Sequence, residues 1–335
     1  IGELIPPGAR FPLEMARDAD SGSNSLLTYQ LSSNPSFSLF MKEKPGGKKQ
    51  PELVLERVLD REKQSSFELV LTAVDGGDPA MSGTVQVRVN VTDANDNPPV
   101  FSKSVYEVRV AENLPVESVV LRVRATDADA GSNGRVSYSF GSVPDVVRAL
   151  FAIDSDSGEI RTAGPLDFEE KDKHIFSLEA TDGVEGEMQV YGIQVEITDI
   201  NDNAPSFRES EKELRVIETT APGSRFPLPD AHDPDSGRNS LQSYELSGDE
   251  HFSLAVQAGP GGDQRPELVL AKALDREEAA FHELVLRVSD GGDPARTGTA
   301  RIRVTVLDAN DNAPVFSQAE YTVRVPEDVP VGSVL

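Results

Sequence analysis

The sequence predicts an all-β protein built from tandem β-sandwich domains, and three observations support this fold class. A short acidic connector occurs three times, beginning at Asp93, Asp199 and Asp308. Between connectors, apolar and polar residues alternate over short runs, which is the period of half-buried antiparallel strands. No stretch shows a helical period longer than a turn or two. A repeat of 106 to 109 residues matches one seven-stranded Greek-key sandwich, so we expect one such domain per repeat.

The connectors are Asp93–Asn97, Asp199–Asn203 and Asp308–Asn312, and each is followed closely by proline. Such a segment is unsuited to a core strand, but it suits an extended linker that presents oxygen atoms to a hard cation. The connectors predict the domain boundaries. We expect repeats over residues 1–99, 100–205 and 206–314, and the start of a further repeat over residues 315–335. Both chain ends read as interrupted strands, so we expect a piece of a longer protein.

The strands of each repeat are predicted from alternating runs that are bounded by turn residues. The clearest runs of the first two repeats cover residues 53–55, 67–71, 85–91, 105–110, 119–123, 136–140 and 189–197. Repeat three closely resembles repeat one, because Pro51–Leu55 matches Pro266–Leu270 and Asp75–Ala80 matches Asp290–Ala295.

Composition excludes several functional classes. Acidic residues outnumber basic ones, 57 to 32, and the resulting net charge of −25 argues against binding to nucleic acid. The absence of cysteine excludes disulfides, thiol catalysis and thiolate metal sites. No run of about 18 apolar residues is present, so no segment is expected to span a membrane.

Four further motifs recur in step with the connectors. They are an early glutamate, a D-x-D pair followed by asparagine, a central D-x-E and a late aspartate before glycine. The early glutamates are Glu3, Glu112, Glu218 and Glu327, and the late aspartates are Asp75, Asp182 and Asp290. The D-x-D pairs with their asparagines are Asp18, Asp20 and Asn24; Asp127, Asp129 and Asn133; and Asp233, Asp235 and Asn239. The D-x-E pairs are Asp60 and Glu62, Asp167 and Glu169, and Asp275 and Glu277. Calcium takes six to eight oxygen ligands, more than one motif supplies. Motifs from adjoining repeats could together complete such a shell around a connector.

The motifs x-E-x, D-x-E, D-x-N-D-N, D-x-D and x-D-x-G-x-N resemble the consensus of cadherin extracellular repeats, and this resemblance covers the whole chain. It implies about three Ca²⁺ ions at each complete junction between repeats. The implied ligands of the first junction are Glu3, Asp60, Glu62, Asn95, Asp96, Asp127, Asp129 and Asp182, with the carbonyls of Ala94, Asn97 and Asn133. Those of the second junction are Glu112, Asp167, Glu169, Asn201, Asp202, Asp233, Asp235 and Asp290, with the carbonyls of Ile200, Asn203 and Asn239.

Only the first half of a third junction is expected, formed by Glu218, Asp275, Glu277, Asn310 and Asp311, and we expect it to bind weakly or not at all. The early acids of repeat one, Asp18, Asp20 and Asp75, are expected to lack partners. For Asp93, Asp199 and Asp308, support of the connector and direct contact with metal are both open. In the first junction three divalent cations would nearly balance seven carboxylates, so we expect calcium to stiffen the linker.

A narrower resemblance is to the clustered protocadherins. Repeats one and three resemble the second repeat of that group through residues 7–13 and 222–228, whereas repeat two resembles its third repeat through residues 138–142 and 166–169. This order is unlike that of the group, so a chimera, joined fragments and an unusual member all remain open.

The resemblance implies calcium-dependent cell–cell recognition, mainly homophilic, through an antiparallel trans dimer in which second repeats face third repeats. The implied partner is the same or a related protocadherin on an apposed cell, with no nucleic acid and no small-molecule substrate. The implied location is the extracellular side of the plasma membrane, attached through a segment outside this chain. The sequence contains no tryptophan, so strand swapping of the classical cadherin type is not expected. The alternative is a calcium-stiffened spacer with little recognition of its own.

An enzyme is not expected. Two-metal hydrolases use carboxylates but normally add histidine, and His174, His232, His251 and His282 are interpreted as holding non-equivalent positions.

Two surface features complete the predictions. Asn90 begins the sequon Asn90-Val91-Thr92 and is a candidate for glycosylation. The lysine-rich loop at residues 42–50 is a candidate for partner specificity, because its counterpart at 257–265 replaces its basic residues with mostly neutral and acidic ones. A freely varying solvated loop is the competing interpretation.

Overall fold

The fold comes from a computed structural model, which describes residues 1–183, 188–259 and 264–334. The regular secondary structure of the described residues is almost entirely β, as predicted. The chain divides into two compact units, Ile1–Thr198 and Asp199–Leu335. The first unit contains repeat one and repeat two up to Thr198, and the second contains the connector that begins at Asp199 and repeat three.

Repeat one forms two three-stranded sheets. Its strands are β1 (Arg10–Pro12), β2 (Thr28–Leu31), β3 (Phe37–Glu43), β4 (Lys49–Leu55), β5 (Ser66–Val74) and β6 (Ser82–Asn90), and a single 3₁₀ turn spans Gly22–Ser25. The sheet orders are β1-β4-β3 and β2-β5-β6. A seventh strand was predicted, and in its place a parallel bridge joins Gly2 to Thr92.

Repeat two has the predicted seven-stranded sandwich with an additional ribbon. Its elements are β7 (Val100–Phe101), β8 (Tyr106–Ala111), β9 (Val119–Arg122), β10 (Ala125–Thr126), β11 (Ser137–Phe140), α1 (Asp145–Leu150), β12 (Phe151–Ile153), β13 (Glu159–Thr162), β14 (Lys173–Thr181) and β15 (Met188–Thr198). The sheets are β11-β14-β15-β8 and β12-β13-β9, and β7 pairs with β10. β8 runs parallel to β15, while the other pairs are antiparallel.

Repeat three has the same arrangement. Its strands are β16 (Ser206–Phe207), β17 (Glu211–Ile217), β18 (Arg225–Pro227), β19 (Ala231–His232), β20 (Leu241–Ser247), β21 (Phe252–Ala258), β22 (Gln264–Leu270), β23 (Phe281–Asp290) and β24 (Thr297–Leu307). The sheets are β17-β24-β23-β20 and β18-β22-β21, with β16 paired to β19. Residues 308–334 contain no strand. The further repeat expected from residue 315 therefore stays a prediction.

Each repeat encloses its own core, which explains why the connectors remain outside the cores. The side chains that are most deeply buried include Leu53, Leu55 and Leu69 in repeat one, Phe151, Ile160 and Leu178 in repeat two, and Leu268, Leu284 and Ile302 in repeat three. Leu69, Leu178 and Leu284 come from β5, β14 and β23, in which buried positions alternate with more exposed ones. Within the described part of the chain, no helix is long and apolar enough to cross a membrane.

The interpretation of the four histidines as non-equivalent is wrong for two of them. His174 and His282 occupy the same inward-facing position, because His174 pairs with Val195 across β14–β15 and His282 pairs with Val304 across β23–β24. Each ring packs edge-on against a core phenylalanine, Phe151 and Phe252 respectively. The sequence does show this equivalence, since each histidine follows the aspartate of its D-x-E motif by the same interval.

Candidate metal centre

The first connector is anchored by a buried glutamate. Glu3 is only 1% exposed. Its Oε1 accepts a hydrogen bond from the backbone N–H of Ala94 at 2.6 Å, and its Oε2 accepts one from the backbone N–H of Arg61 at 2.8 Å. A buried carboxylate needs such partners to offset its desolvation. Glu3 therefore holds the connector beside the D-x-E turn of the same repeat.

The D-x-D loop of repeat two is held against the connector by Asp129, which is 8% exposed. Its Oδ2 accepts hydrogen bonds from the backbone N–H groups of Asp96 at 3.2 Å and Asn97 at 3.3 Å. Its Oδ1 accepts one from the side-chain amide of Asn97 at 2.7 Å. Predicted ligands from the two repeats of the first unit thus meet at one place.

Asp93, for which two roles were open, has contacts that suit support of the connector. Its carboxylate accepts hydrogen bonds from the backbone N–H of Ala130 at 3.0 Å and from the side chain of Asn133 at 2.9 Å. Arg61 lies 3.2 Å from the same carboxylate. These contacts fasten the D-x-D loop to the start of the connector.

The most informative atoms at this junction are buried oxygens without a hydrogen-bond partner. Asn95 donates from Nδ2 to Oδ1 of Asp182 at 2.9 Å, and Oδ1 of Asp127 accepts from the backbone N–H of Asp129 at 2.8 Å. The other oxygens, Oδ1 of Asn95 and Oδ2 of Asp182 and Asp127, are buried and accept no hydrogen bond. An unpartnered buried acceptor is costly, so three of them at predicted ligand positions fit a bound cation.

The electrostatics of the first junction also favour a bound cation. Glu3, Glu62 and Asp93 form one group whose carboxylate oxygens lie within 4.8 Å of one another, and Glu62, Asp96 and Asp129 form a second. Burial, followed by repulsion from Glu3 and Asp129, raises the pKa of Asp96 above its ordinary value. The pKa values of Glu62 and Asp127 are also raised, again mainly by burial. A cation would remove this cost by neutralising the cluster.

Asp60 is a predicted ligand whose carboxylate is engaged elsewhere. Its Oδ2 lies 2.6 Å from Nζ of Lys63, and its Oδ1 accepts from the backbone N–H of Lys63 at 2.9 Å. These hydrogen bonds lower the pKa of Asp60. Sequence reasoning missed this competing cation because it considered only the acids of the motif.

The predicted ligands of the second junction repeat these contacts inside each unit. In the first unit, Oε2 of Glu112 accepts from the backbone N–H of Phe168 at 2.8 Å. Glu112, Asp167 and Glu169 bring carboxylate oxygens within 4.8 Å of one another.

In the second unit, Asp235 takes the place of Asp129. It accepts from the backbone N–H of Asn203 at 3.2 Å and from the Asn203 side chain at 2.8 Å. Asp199 accepts from Asn239 at 2.8 Å, just as Asp93 accepts from Asn133. Burial raises the pKa of Asp233, as it does for Asp127.

The unpartnered oxygens recur as well. Among the described residues, eight buried side-chain polar atoms lack a hydrogen-bond partner, and six of them belong to predicted calcium ligands. In the second unit these are Oδ1 of Asn201 and Oδ2 of Asp233 and Asp290. Because chance would scatter such atoms over the whole chain, their concentration at ligand positions supports a cation in both places.

At the third connector, Glu218 repeats the hydrogen bonds that Glu3 makes at the first. Glu218 accepts from the backbone N–H groups of Ala309 at 2.6 Å and Arg276 at 2.7 Å. Asn310 and Asp311 are exposed. Asn312 donates to Oε2 of Glu277 at 2.9 Å, so this predicted ligand also has a protein partner.

One cluster was missed by sequence reasoning. Asp249, His251 and His282 offer ligand atoms within 4.8 Å of one another in repeat three, away from the connectors. The sequence feature that pointed to His282 is its spacing from the D-x-E motif, which is the same as that of His174.

Comparison with known proteins identifies the family. The profile of the cadherin domain matches residues 1–92, 106–198 and 212–307. The chain therefore belongs to the cadherin family, whose members are cell-adhesion proteins rather than enzymes.

Within the family, the chain is homologous to the extracellular regions of the clustered gamma protocadherins. It is 45% identical over 334 residues to human (Homo sapiens) protocadherin gamma-B3, covering 99% of this chain and 35% of that protein. Among solved structures, the extracellular cadherin domains 1–5 of protocadherin gamma B2 superpose with a TM-score of 0.88 at 40% identity, covering 96% of this chain and 60% of that one. The extracellular domain of protocadherin gammaB4 gives 0.86 at 41% identity, covering 96% and 49%. The chain thus spans about a third of the length of its curated relatives.

Proposed function

We propose that this chain is a calcium-dependent part of a cell-adhesion ectodomain that recognises the same or a related protocadherin on an apposed cell. The observation that carries the calcium dependence is the set of buried, unpartnered oxygens at Asn95, Asp127 and Asp182. Cadherin repeats as a family bind calcium at their junctions, and whole-length similarity to protocadherin ectodomains supports adhesion.

At the first junction the proposed ligand groups are carboxylates, one side-chain amide and backbone carbonyls. They are Glu3, Asp60, Glu62, Asn95, Asp96, Asp127, Asp129 and Asp182, with the carbonyls of Ala94, Asn97 and Asn133. Calcium would supply positive charge that balances the negative charge of these carboxylates. Asp93 and Asn97 orient the D-x-D loop through the hydrogen bonds described above, and Asp60 must leave Lys63 before it can contribute.

At the second junction the proposal assigns the corresponding residues. They are Glu112, Asp167, Glu169, Asn201, Asp202, Asp233, Asp235 and Asp290, with the carbonyls of Ile200, Asn203 and Asn239. Support comes from each unit separately, because each half shows the same local hydrogen bonds as its counterpart in the first junction.

Recognition is proposed to be homophilic, through an antiparallel trans dimer of second-type and third-type repeats. Sedimentation velocity in millimolar calcium, repeated after chelation, tests it. A calcium-dependent dimer supports recognition by this chain. A monomer that small-angle scattering shows to stiffen with calcium would instead favour a spacer, and equal stiffness after chelation would remove the calcium proposal as well.

Specificity is proposed to involve the lysine-rich loop at residues 42–50. Its side chains project from the β3–β4 hairpin, where Lys42 lies 3.6 Å from Glu52. Residues 260–263 of the counterpart loop lie outside the described residues. Reversing the charge of Lys42, Lys44, Lys48 and Lys49 should change partner choice in a mixed-cell aggregation assay. Unchanged partner choice would mark the loop as a solvated hairpin.

Asn90 is proposed to carry an N-linked glycan. It lies exposed at the end of β6, beside the first junction. Mass spectrometry of chain secreted from mammalian cells, compared with the Asn90→Gln variant, tests this assignment.

A further inference from the structure

Repeat three contains a histidine–aspartate–histidine cluster that no calcium junction uses. One carboxylate oxygen of Asp249 lies 2.5 Å from Nδ1 of His251, and the other lies 2.6 Å from Nδ1 of His282. The two imidazole ring centroids are 5.1 Å apart. Three potential ligand groups therefore converge on one point.

The backbone holds this cluster in place. Asp249 and His251 lie in the loop between β20 and β21, and the backbone carbonyl of His251 accepts a hydrogen bond from the N–H of Ala271 at 2.7 Å. Gly248 has φ +149, and a Cβ there would meet Cδ2 of Leu284 at 2.5 Å. Glycine thus lets the loop lie directly against β23, which brings Asp249 to His282.

His282 is fixed from the other side. It is 6% exposed, and its ring packs edge-on against Phe252 with centroids 5.4 Å apart. Asp249 and His251 are only half-buried, so the cluster has one rigid, buried ligand and two ligands that solvent reaches. An ion could enter from the side of the loop without disturbing the core.

Repeat one provides a matched site that lacks this chemistry. The residues aligned with Asp249, His251 and His282 are Asn34, Ser36 and Phe67. The loop has the same turn, because Oδ1 of Asn34 accepts from the backbone N–H of Ser36 at 2.8 Å and Oδ1 of Asp249 accepts from that of His251 at 2.8 Å. Phe67 packs edge-on against Phe37 as His282 packs against Phe252. The fold therefore does not require the two histidines or the charge.

The chemistry of the three groups selects the class of ion. Imidazole nitrogen is a poor ligand for calcium but a preferred one for zinc and neighbouring transition metals, and two histidines with one carboxylate form a common zinc set. Zinc bonds of about 2.0 Å in a tetrahedron place ligand atoms roughly 3.3 Å apart. One ligand atom from each residue lies within 4.8 Å of the others. A shift of roughly 1.5 Å or less would bring them to this spacing, which the half-buried loop residues permit.

Asp249 is already prepared to act as an anionic ligand. Although partial burial works against ionisation, hydrogen bonds from the backbone of His251 and from both imidazoles hold the pKa of Asp249 well below its usual range. A cation would take the place of the two protons that Asp249 shares with the imidazoles.

We propose that Asp249, His251 and His282 form a zinc site in repeat three, with a fourth position open to water. The site is independent of the calcium junctions, because it uses nitrogen ligands and lies at the opposite end of β23 from Asp290. Zinc bound there ties the β20–β21 loop to the four-stranded sheet of this repeat.

Isothermal titration of the untagged full chain with ZnCl₂ in millimolar calcium tests the proposal. Calcium fills the carboxylate sites, so one zinc per chain should remain detectable. His251→Ser should lower the zinc affinity of this site by at least about 100-fold, since a direct ligand is lost. Co²⁺ in place of Zn²⁺ should give the intense visible absorption of a tetrahedral site, and His251→Ser should abolish it.

Two further variants separate metal binding from folding. Asp249→Asn and His282→Phe copy repeat one, preserve the turn and the edge-on ring contact, and should lose zinc while keeping the calcium-dependent Tm. His174→Phe, at the equivalent position of repeat two, should bind zinc like the wild type. Absence of zinc binding by the wild-type chain, or equal binding by His251→Ser, would overturn the proposal.

Discussion

The D-x-D loops of repeats one and two share a sequence motif and a local turn, yet their surroundings differ. In both loops the first aspartate accepts a hydrogen bond from the backbone N–H of the second at 2.8 Å, in the pairs Asp18–Asp20 and Asp127–Asp129. Asp20 is exposed, whereas Asp129 is buried against the connector. Only Asp127, and not Asp18, has a buried oxygen without a partner.

The comparison shows that the motif alone does not make a metal centre. Local hydrogen bonds shape the loop in either place, but the connector Asp93–Asn97 adds the backbone donors that position Asp129. Burial then raises the pKa of Asp127. A cation is needed where these effects coincide, as they do at Asp127 and Asp129.

The largest expected effect is that of removing calcium from the whole chain. Ligand binding to the folded state adds about 2.7 kcal/mol per site to the free energy of unfolding when the ligand is at 100 times its Kd. Calorimetry with and without chelator should therefore show a large fall in Tm for the transition that includes the first junction. A Tm that is independent of calcium would contradict the proposed centre.

The paired variants Asp129→Asn and Asp20→Asn test the comparison most directly. Asp129→Asn removes a negative ligand that the connector holds, so calcium affinity should fall at least tenfold, about 1.4 kcal/mol. Asp20→Asn is its match in the D-x-D loop of repeat one, where the aspartate is exposed, and should leave calcium affinity at the first junction unchanged. Calcium titration calorimetry of both variants measures the difference, and equal losses would show that the motif acts without the connector.

The effect of pH on the Tm is expected to be smaller than the effects above. Its sign should be opposite in the calcium-free and the calcium-loaded protein. A carboxyl pKa that is raised in the folded state means that the folded chain binds protons more tightly than the unfolded chain. For Asp96 and Asp127 stability is therefore lost as the pH rises from the ordinary value of 3.8 through the raised pKa.

In chelator, the Tm should consequently increase as the pH is lowered from neutral through the raised pKa values toward the ordinary value of 3.8. Asp127→Asn should reduce that slope. In saturating calcium the trend should reverse, because protons compete with the cation for the same oxygens. The same slope under both conditions would show that these carboxylates do not share a bound ion.

The smallest expected effect is that of Lys63→Ala. Removing Nζ frees Asp60, which then needs no exchange of partners before it binds calcium. Since the pair is exposed, calcium affinity at the first junction should rise by no more than about fivefold. Glu170 occupies the equivalent position in repeat two, so Glu170→Ala is the matched control and should not increase affinity. A lower affinity in Lys63→Ala would show that Lys63 supports the junction.

Much of the fold was predictable because the pattern is local and repeated. Alternation in Phe67–Leu71 predicts an antiparallel strand wherever one sheet face is buried, and β5 contains that run. An interrupted strand was expected at the chain start, but its single parallel bridge was not predictable, since pairing at Gly2 depends on the distant Thr92. The acids of the junctions were predictable as a class, because their spacing recurs in register.

The sequence by itself determined the number of repeats, their all-β character and the oxygen chemistry of the connectors, since these follow from periodicity and residue type. Only the tertiary structure decided which oxygens lack partners, that Asp93 holds the D-x-D loop of repeat two, and that Asp249 joins His251 to His282. The physical reason is that burial and hydrogen bonding arise between residues distant in the chain, such as Glu3 and Ala94, which are brought together only when the sandwich closes.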